Sequence, residues 1–392
     1  MKLAQWMSRL GTETSFEVLA KAKALEAKGK DIVHLEIGEP DFDTPANIRE
    51  RAKKAIDEGW THYGPAAGIA EARAAVAEHL SKTRGVNVLP EEVIITPGGK
   101  SIICSAMMAL LGPGDEAIFP NPGYPIYESL IDFVGAKAVP IHLREENDFN
   151  LDLKELEASL SPRTRMLVLN SPANPTGGVM GADALEKIAA LLTRYPDVMV
   201  LTDEIYSRII YEGTHHSILS VPGFKERTIL LDGLSKAYAM TGWRLGYAAA
   251  PKELVTAMAR LATNSHSCTA TFVQVAAIEA LLGPQDSVDK MVAEFRRRRD
   301  VIVKGLNALP GFSCRLPKAA FYAFPNVTKA GFKSSQALAD LFMDKAGVAC
   351  LPGTSFGSAG EGYLRFSYAN SVENIEKALG QMKAALAQAL KA

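Results

Sequence analysis

Leu230-Leu231-Asp232-Gly233-Leu234-Ser235-Lys236-Ala237-Tyr238-Ala239-Met240-Thr241-Gly242-Trp243-Arg244-Leu245-Gly246-Tyr247 is the stretch on which the rest of the chain turns. An apolar run ends in Gly and Ser, presents one lysine, and meets no further charge until Arg244. A lysine so isolated is expected in a low-dielectric pocket. There, desolvation and a nearby cation disfavour the ammonium and leave an amine able to attack a carbonyl and form a Schiff base. The plainer alternative is a side chain whose stem covers apolar surface while its charge stays in water. The segment by itself leaves both open, so the choice falls to the sequence on either side.

Working outward, short apolar runs at 228–232 and 247–250 flank the lysine, and similar runs recur at 93–96, 117–119, 138–141, 166–170 and 198–203. Helical patterns separate most of them. Continuous apolar strands alternating with helices indicate an α/β fold whose mainly parallel sheet is covered on both faces. Sites in such sheets lie beyond the carboxyl ends of the strands. Tyr124 follows 117–119, Asn174 follows 166–170, Asp203 and Tyr206 end and follow 198–203, and Ser235 with Lys236 follows 228–232. After 93–96, Pro97-Gly98-Gly99-Lys100-Ser101 opens a helix running to about residue 111. Glycines at a helix N-terminus offer backbone N–H groups and a positive dipole end to a phosphate, although ordinary capping also accounts for them. This turn is not a P-loop, whose first glycine would fall at Ile94. Singly, Asn174 is a turn former, Asp203 an N-cap and Tyr124 a core aromatic. Jointly, an aromatic, an amide, a carboxylate with a phenol, a lysine and an arginine at the ends of one sheet match the needs of a pyridine-aldehyde cofactor.

The remainder bounds the answer. The chain has 392 residues, 47% hydrophobic and 22% charged, with 43 basic against 44 acidic side chains. That is enough chain for a large core and a second, smaller one, with no net field to recruit nucleic acid or an anionic membrane; small-molecule partners are expected. Residues 1–10 lack a signal-type apolar run and no run has the length of a membrane span, so the expected location is cytoplasmic. Cys104, Cys268, Cys314 and Cys350 have no metal-ligand spacing and are read as reduced thiols. At the N-terminal end a helix is expected over 15–29, a strand over 32–37, a breaker-rich loop over 38–45, a helix over 45–58, and an exposed aromatic loop carrying Tyr63. Beyond 284, a long helix over 285–307, short strands at 312–314, 320–324, 348–350 and 363–366 in one small sheet, and helices at 334–345 and 372–391 suggest a smaller α+β domain. The arginine run 296–299 is read as a solvated face with packed stems. The expected division is 1–48 (arm and part of the small domain), 49–284 (large cofactor-binding domain with a seven-stranded type of sheet) and 285–392 (small C-terminal domain).

Six motifs carry a resemblance: Ile37-Gly38-Glu39-Pro40-Asp41-Phe42, Tyr63-Gly64-Pro65-Ala66-Ala67-Gly68, Asn174-Pro175-Thr176-Gly177, Asp203-Glu204-Ile205-Tyr206, Ser235-Lys236 through Thr241-Gly242-Trp243-Arg244, and Leu364-Arg365-Phe366-Ser367. Over essentially its whole length the chain resembles fold-type I, pyridoxal-phosphate-dependent aminotransferases of class I/II, with the aspartate aminotransferase-like fold. The resemblance implies pyridoxal 5'-phosphate as cofactor, no metal, and a homodimer with shared active sites. It places the Schiff-base lysine and proton shuttle at Lys236, the pyridine-nitrogen carboxylate at Asp203, phenolate partners at Asn174 and Tyr206, and the ring-stacking aromatic at Tyr124. The phosphate cradle would comprise the main chain of Gly99 and Lys100, together with Ser235, Arg244 and, from the other subunit, Tyr63; substrate contacts would be Gly38 (backbone), Asn174 and Arg365. The implied reaction moves an amino group from an L-α-amino acid to a 2-oxo acid such as pyruvate or 2-oxoglutarate. C–S lyases and decarboxylases use the same apparatus, and some transcriptional regulators use the fold as an effector sensor. Two departures stand out: many relatives have a phosphate-binding serine where this chain has Gly233, and 263–272 holds no Lys or Arg for a distal carboxylate. Neutral donors are therefore expected to serve at least as well as aspartate, with Lys100 and His266 as the residues able to reverse that if turned inward.

Overall fold

The structure, a computed structural model, describes residues 1–389. Its strands in chain order are β1 (Val33–His34), β2 (Val93–Thr96), β3 (Glu116–Asn121), β4 (Lys137–His142), β5 (Thr164–Asn170), β6 (Met199–Asp203), β7 (Thr228–Gly233), β8 (Gly246–Ala249), β9 (Tyr322–Ala323), β10 (Val348–Ala349), β11 (Leu351–Pro352) and β12 (Leu364–Ser367). Seven of them form one sheet in the order β2-β8-β7-β6-β5-β3-β4. All run parallel except β8, which is antiparallel to both neighbours. Residues of β2, β3, β7 and β8 are buried throughout, as expected for strands covered on both faces. The chain leaves β3, β5, β6 and β7 on the same side of the sheet, into the turns that build the site.

Outside this sheet the short strands are sparser than their apolar patterns suggest. The expected strand over 32–37 is reduced to β1, paired with β10; β11, β12 and β9 form a separate three-stranded sheet. The expected strand at 312–314 contributes only an isolated bridge from Ser313 to Asn326. These segments are apolar because they fill a core: Leu35, Phe295, Phe321, Phe342, Phe366 and Ile375 lie in one buried cluster that joins the N-terminal and C-terminal parts of the chain. Fully burying each such side chain contributes roughly 1.5–3 kcal/mol. The helix expected over 334–345 is helical over Ser335–Leu341 and continues as one wider turn, Phe342–Ala346. The last helix is Val372–Ala389; residues 390–391 of the expected range lie outside the described residues. Ala70–Arg84, which no sequence motif singled out, is a further helix. Among the described residues no helix is long and apolar enough to cross a membrane.

The arginine run is the clearest correction. In the helix Asp286–Asn307, Arg298 and Arg299 are buried rather than solvated. Arg298 pairs with Asp41 at 2.6 Å and lies over Phe42, while Arg299 pairs with Glu212 at 3.0 Å over Tyr211. Planar guanidinium groups tolerate such burial when both their charge and their faces are partnered, and the partners come from segments more than 80 residues away.

Candidate active site

Gly38, Gly99, Lys100, Tyr124, Asn174, Asp203, Tyr206, Ser235, Lys236, Arg244 and Arg365 line one cavity of about 540 Å³. Of the cofactor and substrate contacts expected from sequence, Tyr63 stands apart, 92% exposed on its loop.

Lys236 follows β7 in a turn that closes back on itself, with Met240 N–H donating to the Ser235 carbonyl. The loop between β7 and β8 keeps two non-glycine residues, Ala239 and Arg244, in the left-handed region at φ +50° and +56°. Backbone of that kind costs of order 1–3 kcal/mol per residue and gathers at functional sites. The Lys236 ammonium donates to the Gly38 carbonyl and sits 5.9 Å from the Phe321 ring centre. Burial, followed by the Arg365 cation, pushes it down to about 8. At neutral pH about one such amine in ten is unprotonated, against about one in three thousand for an ordinary lysine. The pocket alternative thus replaces the solvated one.

Asp203 closes β6 on the cavity floor. Tyr127 donates to its carboxylate at 2.7 Å and the Ile205 N–H at 3.2 Å. Burial raises this carboxyl to about 6, against the opposing pull of those two donors. Behind it, Arg84 pairs with Glu204 at 2.8 Å and with Asp232 at 3.0 Å, tying the ends of β6 and β7 together. Burial works against ionisation of Glu204, but Arg84 and His215 override it and hold that carboxyl at about 2. Two of the three carboxylates at these strand ends are thereby engaged by Arg84 on the far side, leaving Asp203 to the cavity.

Arg365, in β12, is buried. It donates to the Glu36 carbonyl and to Asn174 Oδ1 at 3.3 Å, and its guanidinium lies over the rings of Tyr322 and Phe356 at 4.5 and 4.9 Å. Its Nε has no partner among the described residues. A buried guanidinium with a donor unspent is built to receive an anion. Tyr206 shares a 2.8 Å hydrogen bond with Tyr322. Tyr322 is also why residue 38 is glycine, since a Cβ there would collide with the Tyr322 hydroxyl.

At the other end, Gly98 (φ +87°) lies directly against the Arg244 guanidinium, where any Cβ would clash, and Gly99 begins the helix Gly99–Leu110. A Cβ on Gly246 would come within 2.7 Å of the Gly99 nitrogen, so small residues on β8 let the cradle form. Gly233 is hemmed in likewise: a Cβ there would lie 3.1 Å from both Gly246 Cα and the Leu245 carbonyl. A serine would not fit at 233 without a local shift. Lys100 does turn towards the cavity, where the Glu13 carboxylate engages it; His266 instead bonds Ser265 at 3.0 Å and does not line the cavity.

Sequence reading missed Tyr127, Tyr322, Phe356 and Glu13. Tyr127 had a faint signal, three residues beyond Tyr124 and edge-on to it at 5.6 Å. The other three come from distant segments with no motif of their own.

A family model described as aminotransferase class I and II matches residues 30–382. An aspartate aminotransferase of Pyrococcus horikoshii is 43% identical over 362 residues, covering 92% of each chain. An aromatic-amino-acid aminotransferase of Thermococcus litoralis is 42% identical, covering 91% of this chain and 92% of that one. Among solved structures, aspartate aminotransferase from Thermus thermophilus with maleate superposes with a TM-score of 0.94 at 39% identity, covering 98% of this chain and all of that one.

Proposed function

The chain belongs to the class I and II aminotransferases, and from that premise we propose that its cavity holds pyridoxal 5'-phosphate and moves an amino group from an L-α-amino acid to a 2-oxo acid such as pyruvate or 2-oxoglutarate. The observation that carries this reading is the convergence of Lys236 with the buried Asp203 and Arg365 on one cavity. The donor set suits the cofactor: a cradle of Gly98, Gly99, Ser235 and Arg244 for its phosphate, Asp203 for its ring nitrogen, Asn174 and Tyr206 for its ring oxygen, and Tyr124 for a ring face. When bound, it supplies an electrophilic carbon for the donor amine and an aromatic ring that accepts the electrons left at the α-carbon.

The chain's own residues do the rest. Asp203 would favour a proton on the ring nitrogen through its negative charge, and the Tyr127 hydroxyl keeps that carboxylate oriented. Lys236 Nζ would take the α-proton of the donor amino acid and hold it for return, the role its neutral amine suits. Arg365 grips the substrate α-carboxylate with two parallel N–H groups, while the rings of Tyr322 and Phe356 cover its faces and keep water away. The core shared by the two ends of the chain supports reading 1–48 with 285–392 as a small domain that carries Gly38 and Arg365 onto the 49–284 domain when substrate binds.

Turnover across a panel of amino donors, with pyruvate and 2-oxoglutarate as acceptors, tests the reaction. Arg365→Lys should raise KM for every α-amino acid in the panel, by about tenfold or more, because an ammonium cannot reproduce the bidentate grip. Absence of transfer from any donor in the wild-type protein would refute the reaction, and an unchanged KM in Arg365→Lys would refute the role of that residue.

The active unit is proposed to be a homodimer. Tyr63 is exposed, as are Leu3, Trp6, Met7, Leu10 and Phe16 at the N-terminal end, an apolar set suited to a second copy of the chain. Co-expressed Tyr63→Ala and Lys236→Ala chains should form heterodimers in which one site has both native residues and the other has neither. Those heterodimers should be more active than either parent dimer; activity no higher than the parents would exclude a shared site.

A further inference from the structure

The side-chain end of the cavity holds a charge that the proposed reaction does not use. Glu13 lies just before the helix Thr14–Glu26 and lines the cavity together with Thr14, Ser15 and Phe16. Its carboxylate accepts from the Tyr124 hydroxyl at 3.1 Å and from the Lys100 ammonium, and Lys100 lies 5.8 Å from the Phe16 ring centre. The Glu13 side chain does not cap its own helix, although its position is the N-cap. Its acceptor capacity is directed at the cavity instead. Burial, and after it the Glu13 charge, keeps the Tyr124 phenol well above its ordinary range, so Tyr124 is a neutral donor here.

The consequence for substrate is electrostatic. Arg365 faces the α-carboxylate and Arg244 the cradle, which leaves Lys100 as the cavity-lining cation free to meet an acid at the end of a substrate side chain. Glu13 already neutralises it. An entering distal carboxylate would have to displace Glu13 or sit beside it unpaired, and like charges placed together at a binding site are strongly selected against. The remaining lining combines apolar Phe16, Ile37, Ile103, Leu351 and Phe356 with polar Thr14, Ser15, Thr241 and Ser355 and a further carboxylate, Glu39.

We propose that Glu13 is a specificity-determining residue that withholds Lys100 and Tyr124 from acidic side chains, so that the preferred amino donors carry neutral, apolar or aromatic side chains. This rests on the aminotransferase reading of the same cavity. It also agrees with the absence of Lys and Arg from 263–272.

Glu13→Gln keeps the shape and removes the charge. In the holoenzyme, the half-reaction with aspartate and with phenylalanine, followed by cofactor absorbance, gives the ratio of the two kcat/KM values without an acceptor. The aspartate-to-phenylalanine ratio should rise at least about fivefold in Glu13→Gln and stay near the wild-type value in Glu13→Asp. Calorimetric titration with succinate and with hydrocinnamate, neither of which reacts, should show the same selective gain for the dicarboxylate. A ratio unchanged in Glu13→Gln, or an equal change for both donors, would overturn the assignment, as would succinate binding equally tightly to wild type and variant. Were no donor to react at all, the proposed reaction would fail, while the calorimetric ratio would still decide the role of Glu13.

Discussion

Lys236→Ala should lose amino transfer by at least about 10³-fold in kcat, since one substitution removes both the nucleophile and the proton carrier of the proposed reaction. The cofactor should remain bound, because the cradle of Gly98, Gly99 and Arg244 and the Asp203 contact are untouched. Borohydride should then no longer fix the cofactor covalently to the chain, and equilibrium dialysis should recover it intact. The fold should tolerate the change: Lys236 is a half-buried residue whose amine has one hydrogen-bond partner among the described residues, the Gly38 carbonyl, and desolvation already opposes its charge. Near-wild-type transfer by the purified variant would show that another group does the chemistry.

Asp203→Asn should show the second largest effect, about 10²–10³-fold in kcat with a much smaller loss of cofactor affinity, because the charge rather than the shape is removed. Asparagine can still accept from Tyr127, so on the proposed role of Asp203 anchoring would survive while the charge that favours a proton on the ring nitrogen would be lost. The stability of the cofactor-free protein separates this from misfolding, and its sign is fixed by the direction of the shift. Burial raises the Asp203 carboxyl to about 6 in the folded chain. Relative to an unfolded chain that ionises near the ordinary carboxylate range, the folded state therefore loses stability as pH climbs from that range to about 6, by an amount on the order of 3 kcal/mol. The asparagine variant escapes this loss, so its apoprotein should be at least as stable as wild type at pH 8 and gain no such advantage near pH 3.5. A variant that is both inactive and less stable at pH 8 would mark Asp203 as a structural residue.

What could be read without coordinates divides along a physical line. Strand-forming runs, the glycine-rich entry to the helix at Gly99 and the uncharged surroundings of Lys236 are local patterns, set by side-chain volume, backbone freedom and hydration within a few residues. One rule then carries them from line to space, because consecutive parallel strands deliver their carboxyl ends to the same side of the sheet. Asp203, Asn174, Tyr206, Ser235, Lys236 and Arg244 were accordingly legible, and motif resemblance added Gly38 and Arg365.

The sequence by itself therefore determined the sheet, its strand-end chemistry and the family of reactions it serves. Tertiary structure alone decided which charges are spent. Arg298 and Arg299 looked solvated until Asp41 and Glu212 arrived from elsewhere; Glu204 and Asp232, which lie at the same strand ends as Asp203, are engaged by Arg84. Lys100 looked free to grip a distal acid until Glu13, 87 residues earlier, engaged it. A charge in water keeps its character whatever its neighbours in sequence, whereas a charge in a low-dielectric crevice is defined by the opposite charge placed against it, and that placement exists only once distant segments have packed.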